Sequence, residues 1–182
     1  MDADLQHVAT VLAGAIQIAV GLILLGAALG KIRRWHSFLG ILGAYEVLPV
    51  ASITPVAFML VPAELLIGAS VLLSWNIPLS TIAAAALLTT YAIAMAINIR
   101  RGRTSIDCGC FQSIRQPVGW RLVVRNAACS CALLASGTFN ELVLAERALY
   151  ALPAGVALFV LYLALSNVWA LDASRMAAFS RN

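Results

Sequence analysis

Long apolar segments alternate with short polar stretches along this chain. The apolar segments cover residues 8–29, 51–75, 77–99, 120–137 and 148–171. A helix needs about 20 mostly apolar residues to cross a hydrocarbon core roughly 30 Å thick. The fourth segment is the shortest and carries Arg125 and Asn126 in its first turns. We therefore predict an all-α bundle of about five transmembrane helices, or four if residues 121–137 are re-entrant.

Two further stretches complete this plan. Residues 37–48 are too few to span a membrane, but their apolar side chains recur at helical spacing, which predicts an amphipathic helix in the interface plane. Residues 100–119 form a basic loop that carries two cysteines. Because the longest polar interval has only the length of a loop, we predict a single multi-pass membrane domain over residues 1–182.

The composition also indicates a membrane environment. The chain is 62% hydrophobic and 11% charged, and its mean hydropathy is +0.93. A soluble domain of this size has to cover itself with polar surface, so we expect a lipid bilayer around this one. The acids Asp2 and Asp4 are unlike the start of a secretory signal, and we expect the first span to remain as an anchor.

Basic residues are distributed unevenly among the connections. The net charge of +4 therefore reports orientation, and we predict no nucleic-acid partner. Arg147 lies on one side of a five-span bundle, and the positive-inside rule makes that side periplasmic, together with the amino terminus. The carboxyl terminus and the cysteine loop are then cytoplasmic. The other basic residues at or near that cytoplasmic side are Lys31, Arg33, Arg34, Arg100, Arg101, Arg103, Arg115, Arg121, Arg125, Arg175 and Arg181.

The most reactive feature is the loop sequence Cys108-Gly109-Cys110. Gly109 can take backbone angles closed to other residues, so two thiols one residue apart can just meet the distance limits of a disulfide. A ring this small is strained, and strain makes a disulfide labile, which favours thiol exchange over a structural bond. A tight turn of small residues is the alternative. Structural zinc sites prefer two to four residues between paired cysteines, and we predict no metal and no cofactor.

A second pair, Cys129 and Cys131, lies in the fourth span. Positions i and i+2 of a helix point to nearly opposite sides, so these two thiols cannot bridge each other. Cys129 shares a face with Arg125, and Cys131 is expected on a small-residue packing face with Ala127 and Ala135. We interpret both cysteines as packing residues.

Glu64 lies near the middle of the second span. An ionised carboxylate is costly at that depth and usually faces the bundle interior with a partner. The candidate partners are Arg125 and Lys31, and we predict an intramembrane pair between Glu64 and Arg125. Pairing alone satisfies the physics of Glu64, while proton or substrate handling is the functional alternative.

These residues resemble the methylamine utilisation protein MauE family, and more distantly DoxX-type membrane proteins. The resemblance covers nearly the whole chain. Gln112 departs from the family pattern, which continues with glycine after Phe111. The similar positions are Lys31, the stretch Pro62-Ala63-Glu64, the basic loop after a span ending near Asn98, the motif Asp107-Cys108-Gly109-Cys110-Phe111, and Arg125-Asn126.

The resemblance implies a multi-pass protein of the bacterial inner membrane. It implies a role in processing, transport or maturation of the small, disulfide-rich subunit of methylamine dehydrogenase, together with a periplasmic thioredoxin-like partner, MauD. Such a protein is an accessory factor rather than an enzyme with its own metabolic substrate. Cys108 and Cys110 are the thiol-redox pair expected for it.

Three other functions fit the same residues. A non-redox assembly scaffold would tolerate loss of both loop cysteines, and a transporter would depend on Glu64 and the second span. A quinone-linked disulfide oxidase also needs a thiol pair beside a membrane span, although the sequence identifies no quinone site. The charge count adds a conflict, because a periplasmic client requires periplasmic thiols unless the loop collects electrons inside and passes them outward.

Overall fold

The computed structural model describes residues 3–108, 116–139 and 146–179. Within these ranges the chain forms six α-helices and one π-helical turn, with a single isolated pairing of extended residues in the cysteine loop. The helices are α1 (Ala3–Arg33), α2 (Trp35–Ala44), α3 (Val50–Leu72), α4 (Ile77–Arg100), α5 (Trp120–Ser136) and α6 (Leu152–Phe179), and the π-helical turn Arg147–Ala151 leads into α6.

Four helical segments of the described chain are long and apolar enough to cross a membrane. They are Asp4–Arg33 in α1, all of α3, all of α4, and Arg147–Leu171 in the π-helical turn and α6. An all-α, multi-pass membrane protein is the predicted fold class, and the structure confirms it.

Helix α5 is shorter, at 17 residues, or about 25 Å at 1.5 Å per residue. It runs antiparallel along α4. Ser130 donates a hydrogen bond to the carbonyl of Ala85 (2.9 Å), and its hydroxyl lies 2.9 Å from that of Thr89. Gly137, just after α5, lies against Thr81 at the opposite end of α4 from the cysteine loop. Helix α5 therefore runs beside α4 from the cysteine loop to the level of Thr81, and it is not one of the four candidate spans.

The short helix α2 covers the end of the bundle at which α1 ends. Its Phe38 is buried and packs with Ala28 of α1 and with Ala57 and Val61 of α3. Trp35 at its start packs its ring 4.8 Å from the ring of Phe58. Apolar residues at helical spacing thus hold α2 against α1 and α3, and its opposite face remains exposed.

Helices α3 and α4 are joined by a tight turn. Two non-glycine residues, Ser74 and Asn76, have positive φ angles of 57° and 47°. The Asn76 side chain accepts a hydrogen bond from the amide of Leu79 (3.4 Å), which caps α4, and Pro78 occupies the first turn, where a missing N–H is tolerated. Helix α3 ends at Leu72 because Ser74 leaves the helical conformation.

Small residues set the close helix contacts in the bundle. A Cβ atom on Gly21 of α1 would lie 3.1 Å from the carbonyl oxygen of Gly68 in α3. A Cβ atom on Gly155 of α6 would lie 2.7 Å from Cβ of Ile18. These glycines let the backbones approach, as is usual where helices associate in lipid.

Large apolar side chains cover the outside of the bundle. A membrane-spanning bundle is expected to present such a surface to the acyl chains, because its backbone polar groups are satisfied within each helix. The exposed apolar residues include Phe58, Met59 and Leu66 of α3, Ile82 and Ile93 of α4, and Val160, Leu161 and Val168 of α6.

We predict that Gly155→Ala destabilises the bundle, because the new methyl group would overlap Ile18 and the backbone carbonyl of Ala15, which lies 2.9 Å from its position. Overpacking of this kind costs about 1–3 kcal/mol. Gly40→Ala in α2 is the matched control, since nothing lies within 4 Å of its Cβ position. Thermal unfolding of the purified protein in detergent measures the difference, and equal melting temperatures for the two variants would contradict the packing described here.

Candidate functional site

The loop that carries Cys108 leaves α4 through a well-defined helix end. Gly102 has a φ angle of 74°, which favours glycine. Its amide donates to the carbonyl of Ile99 (3.0 Å), and the amide of Arg103 donates to the carbonyl of Asn98 (2.9 Å). These two bonds form a Schellman motif, which satisfies the last carbonyls of the helix. The chain therefore enters the loop in a fixed direction.

The two ends of the loop are paired with each other. The amide of Cys108 donates to the carbonyl of Gln116 (2.9 Å), and the amide of Val118 donates to the carbonyl of Ile106 (2.9 Å). The Asp107 carboxylate accepts a hydrogen bond from the Gln116 amide (2.8 Å). Together these residues form the loop base. Asp107 has a structural role here, because its oxygen satisfies a backbone donor of the opposite strand.

Cys108 is half-buried at the loop base. Its carbonyl oxygen lies 3.4 Å from the hydroxyl of Tyr45, which donates to it. Its side chain packs against a cluster that contains Tyr45, Met95, Val118 and Leu122. Cys110, the other member of the predicted thiol pair, lies outside the described residues, and so does Gln112.

Arg125 connects the loop base to α6. One of its guanidinium nitrogens, Nη1, lies 3.4 Å from the side-chain oxygen of Gln116 and 3.3 Å from the hydroxyl of Ser166. The guanidinium carbon lies 4.9 Å from the centroid of the Tyr162 ring. Gln116 also donates to the backbone carbonyl of Ser166 (2.7 Å). Arg125 thus holds the loop base, α5 and α6 together.

The predicted pair between Glu64 and Arg125 is wrong. Glu64 is fully buried, and its Oε1 atom accepts a hydrogen bond from the ammonium of Lys31, which is 3% exposed. Arg125 cannot take that place, because α5 packs against α4 and α1 and directs Arg125 towards α6. Lys31 was the other candidate partner, and it reaches inward because helical side chains lean towards the amino end of their helix.

Tyr91 of α4 completes this buried cluster. Its hydroxyl donates to the same oxygen of Glu64 and lies 3.4 Å from the Lys31 ammonium. The ammonium also lies 5.0 Å from the centroid of the Tyr91 ring and 5.5 Å from that of Phe38. The second carboxylate oxygen, Glu64 Oε2, is buried without a hydrogen-bond partner among the residues described. We call Lys31, Glu64 and Tyr91 the buried polar cluster.

A cavity of about 80 Å³ joins the buried polar cluster to the loop base. Lys31 and Tyr91 line one part of it, and Cys108 lines another. Its remaining walls are formed mainly by apolar side chains from α2, α3 and α4, among them Phe38, Ile41, Leu42, Leu60 and Met95. The thiol and the buried ammonium therefore face one common space.

The two cysteines of α5 have different surroundings. Cys129 is half-buried and packs against the central apolar cluster, which includes Leu88 and Leu133. Cys131 is exposed, so its expected packing contact is not made within the described chain. The reason is that α5 turns Asn126, Ser130 and Leu133 towards its neighbours, which leaves Cys131 on the outer face.

Sequence reasoning missed Tyr45 and Tyr91 as site residues. Tyr45 belongs to the apolar side chains that recur in residues 37–48, and Tyr91 lies in an Ala-rich span with no charged neighbour in sequence. The sequence did contain one signal for Tyr91. A buried phenol hydroxyl needs a hydrogen-bond partner, so a tyrosine in the middle of one span could be matched with the carboxylate in the middle of another. Among the described residues, no group of three or more His, Cys, Asp or Glu side chains is arranged to hold a metal ion.

Basic residues gather at the end of the bundle that carries the loop base. Arg103 forms an ion pair with Glu46 at 2.5 Å, and Arg101 donates to the backbone carbonyl of Glu46 (3.1 Å). Arg147 lies at the opposite end, where it donates to the carbonyls of Val71 and Leu72. We call the end with the loop base the basic end.

Residues 9–139 match a protein family described as Methylamine utilisation protein MauE. This stretch contains the whole buried polar cluster, Cys108 and Arg125. No solved structure matches the chain.

Several bacterial proteins that carry one name are similar to this chain. The methylamine utilization protein MauE of Paracoccus denitrificans is 38% identical over 126 residues, which cover 68% of this chain and 67% of that protein. The protein of that name from Methylorubrum extorquens is 38% identical over 112 residues, which cover 61% and 60%. The one from Methylophilus methylotrophus is 35% identical over 153 residues, which cover 80% and 79%.

We predict that Glu64→Gln strongly lowers stability, because it leaves the Lys31 ammonium buried without its carboxylate. Breaking a buried pair from one side costs about 3–5 kcal/mol. The double variant Lys31→Gln, Glu64→Gln should lose much less stability than the sum of the losses in the two single variants. The free energies of unfolding of the four detergent-purified proteins form this double-mutant cycle.

The control combines Glu64→Gln with Arg125→Gln. These side chains share no hydrogen bond among the described residues, so their losses should add to within about 0.5 kcal/mol. Additive losses for Lys31 and Glu64, with coupling between Arg125 and Glu64 instead, would contradict the observed pairing.

Proposed function

Because this chain belongs to the methylamine utilisation protein MauE family, we propose that it serves methylamine utilisation as a thiol-redox maturation factor of the bacterial inner membrane. The family match and the relatives' names support the first part of this proposal. The thiol chemistry rests on one observation, the position of Cys108. Its backbone is fixed by Gln116 and Tyr45, while its side chain lines a cavity inside the membrane protein.

A thiol used for exchange needs a fixed position and access to a partner. The loop base holds Cys108 through a hydrogen bond from its backbone amide to the carbonyl of Gln116. Functional residues are commonly placed in this way, on a loop positioned by a rigid scaffold. We propose that Cys108 and Cys110 form the exchanging pair, since a ring closed over one intervening residue is strained and therefore labile.

Thiolate is the form of cysteine that attacks a disulfide. Arg101 and Arg103 flank the loop at its start, and Lys31 lines the cavity that Cys108 also lines. In the exchange a thiolate attacks one sulfur of a disulfide and forms a mixed disulfide. The neighbouring thiol resolves it, so that one cysteine pair is left oxidised and the other reduced.

We propose that the client is the small subunit of methylamine dehydrogenase and that a thioredoxin-like protein, MauD, is the exchange partner. Both come from the resemblance to the family described above. A disulfide-rich client supplies many cysteines that have to be paired correctly, and an accessory redox factor would act on that pairing. In this role the protein is a maturation factor, with no metabolic substrate of its own.

The side of the membrane that bears the basic end decides the direction of electron flow. The positive-inside rule places the basic end in the cytoplasm and the amino terminus in the periplasm. Thiols on that side would collect electrons inside and pass them outward. Thiols on the periplasmic side would act directly on the client's cysteines.

We predict that Cys108 resists a membrane-impermeant maleimide added to intact spheroplasts and reacts after the membrane is opened, because the basic residues keep this end inside. Cys129→Ala, Cys131→Ala protein restricts the labelling to the loop thiols. Mass spectrometry of the labelled peptide identifies the site. Prompt labelling of intact spheroplasts would reverse the assigned orientation and favour direct action on the client.

We also predict that Cys108→Ser and Cys110→Ser each abolish function while the protein is still inserted and abundant. Serine nearly matches cysteine in size, so the loss of stability at the half-buried Cys108 should be small enough to leave the protein inserted. The methylamine dehydrogenase small subunit should be degraded, and growth on methylamine should stop. The single variant that keeps the attacking thiol should also trap a mixed disulfide with its partner, because the resolving thiol that would collapse it is missing.

Cys131→Ser is the matched control for the loop variants, since Cys131 is exposed on α5 and away from the cavity. It should support normal growth on methylamine and normal accumulation of the small subunit. If a Cys108→Ser, Cys110→Ser double variant at normal abundance still yields a fully accumulated, correctly bridged small subunit, the redox function is wrong.

A further inference from the structure

We propose that the cavity between Cys108 and the buried polar cluster binds a membrane quinone, which accepts electrons from Cys108. This inference rests on the proposed function, since it supplies the electron acceptor for the same thiol. It is carried by three features of the cavity: its apolar walls, its polar inner end and the cysteine beside it.

The walls require a lipophilic occupant. Phe38, Ile41, Leu42, Leu60 and Met95 supply most of the lining, and apolar cavities of this kind do not hold water stably. The volume of about 80 Å³ is several times the roughly 10–15 Å³ that one water needs. The space therefore suits a ring-sized apolar group.

The proposed entrance to the cavity lies between α3 and α4, towards the bilayer. Leu60, Tyr91 and Ala94 of these two helices line the cavity and are each partly exposed. Exposed apolar residues of the same two helices, such as Met59 and Ile93, lie around this opening. A molecule dissolved in the membrane could thus enter laterally, whichever side of the membrane the basic end faces.

The inner end of the cavity requires an occupant that bears an oxygen. The Lys31 ammonium has three N–H donors, and hydrogen bonds within the described part of the chain use two of them, to Glu64 and Tyr91. The third can donate to a carbonyl oxygen of a ligand. A buried donor facing an apolar space gains from such an acceptor because water cannot satisfy it there.

Many lipophilic molecules bear an oxygen. The thiol beside the cavity favours a redox-active one among them, because such a ligand can accept its electrons. When exchange has left Cys108 and Cys110 reduced, the two thiols together lose two electrons and two protons, and one sulfur–sulfur bond forms between them. The quinone gains the same two electrons and two protons and leaves as hydroquinone. The balance needs no further reactant.

Binding is tested by titrating the full-length protein in detergent with decylubiquinone. The quenching of tryptophan fluorescence measures how much ligand is bound. Trp35 reports on the site because its ring lies 5.9 Å from the ring of Phe38, which is a wall residue. Saturable quenching is expected for the wild type. Ala94→Phe should weaken binding at least tenfold, because it fills the cavity from one wall.

Ala86→Phe is the matched control, since Ala86 is an exposed residue of the same helix and does not line the cavity. It should bind decylubiquinone like the wild type. Tyr91→Phe keeps the ring but removes the hydroxyl that orients the Lys31 ammonium, and it should weaken binding by several-fold, up to about tenfold. Equal binding by Ala94→Phe and Ala86→Phe would overturn the proposed site.

A competing occupant is a lipid acyl chain, and 1-decanol tests for it because it has a chain and a hydroxyl but no ring. Weak or absent competition supports a quinone site. Competition by 1-decanol at the same concentration as decylubiquinone would overturn the proposal in favour of an acyl-chain site.

Electron transfer is tested by mixing the reduced protein with decylubiquinone without oxygen and measuring hydroquinone by absorbance. Hydroquinone should form with the wild type and with Ala86→Phe, but not with Cys108→Ser. If Cys108→Ser reduces the quinone as fast as the wild type, the assigned electron transfer is wrong.

Failure of this inference can be distinguished from failure of the proposed function. Mixed disulfides trapped by the loop variants, without any quinone binding, would overturn the quinone site and leave thiol exchange standing. Reduction of quinone at Cys108, with a small subunit that matures normally in the loop double variant, would support the site and overturn the maturation role.

Discussion

Burying Lys31 and Glu64 together fixes how three helices of this bundle meet. Either charge alone would be expensive at this depth, because lipid and apolar side chains cannot replace its hydration. The pair removes that cost only if α1 and α3 are in one register, which the contact between Gly21 and Gly68 also requires. Tyr91 then fixes α4 against the same carboxylate. Since α5 packs along α4, its position follows from this arrangement as well.

The cavity follows from the same constraint. The polar cluster holds α1, α3 and α4 at its inner end, and α2 covers the space from the basic end through Phe38 and Tyr45. No side chain in the described part of the chain fills the region between them. Cys108 completes the wall because the loop base is tied to Tyr45 of α2 and, through Gln116 and Arg125, to α6.

Polar groups therefore have two distinct uses in this protein. One group of polar side chains forms hydrogen bonds within itself and with the backbone, and these bonds hold the loop base in place. It consists of Asp107, Gln116, Arg125 and Ser166. Cys108 is held in this arrangement by hydrogen bonds of its backbone amide and carbonyl. A reactive group is most useful when its position is determined by other residues and its own side chain faces the ligand. That division supports assigning the thiol chemistry to Cys108.

The sequence by itself determined the class of fold, because the lengths of the apolar runs depend only on the thickness of the bilayer. It also determined that Glu64 needs a cationic partner, since the cost of a buried charge does not depend on the details of packing. The loop motif and its flanking residues indicated the family. Each of these conclusions follows from local pattern or from the solvent.

Only the tertiary structure decided which cation pairs with Glu64, and it chose Lys31 because α5 packs beside α4 and α1 and turns Arg125 towards α6. The same packing put Cys131 on the outer face of α5. It also produced the cavity that brings Cys108, Lys31 and Tyr91 to one space, although they lie far apart in the sequence. A void and a choice among partners depend on how helices are arranged around one another, and the period of apolar residues within each helix does not encode that arrangement.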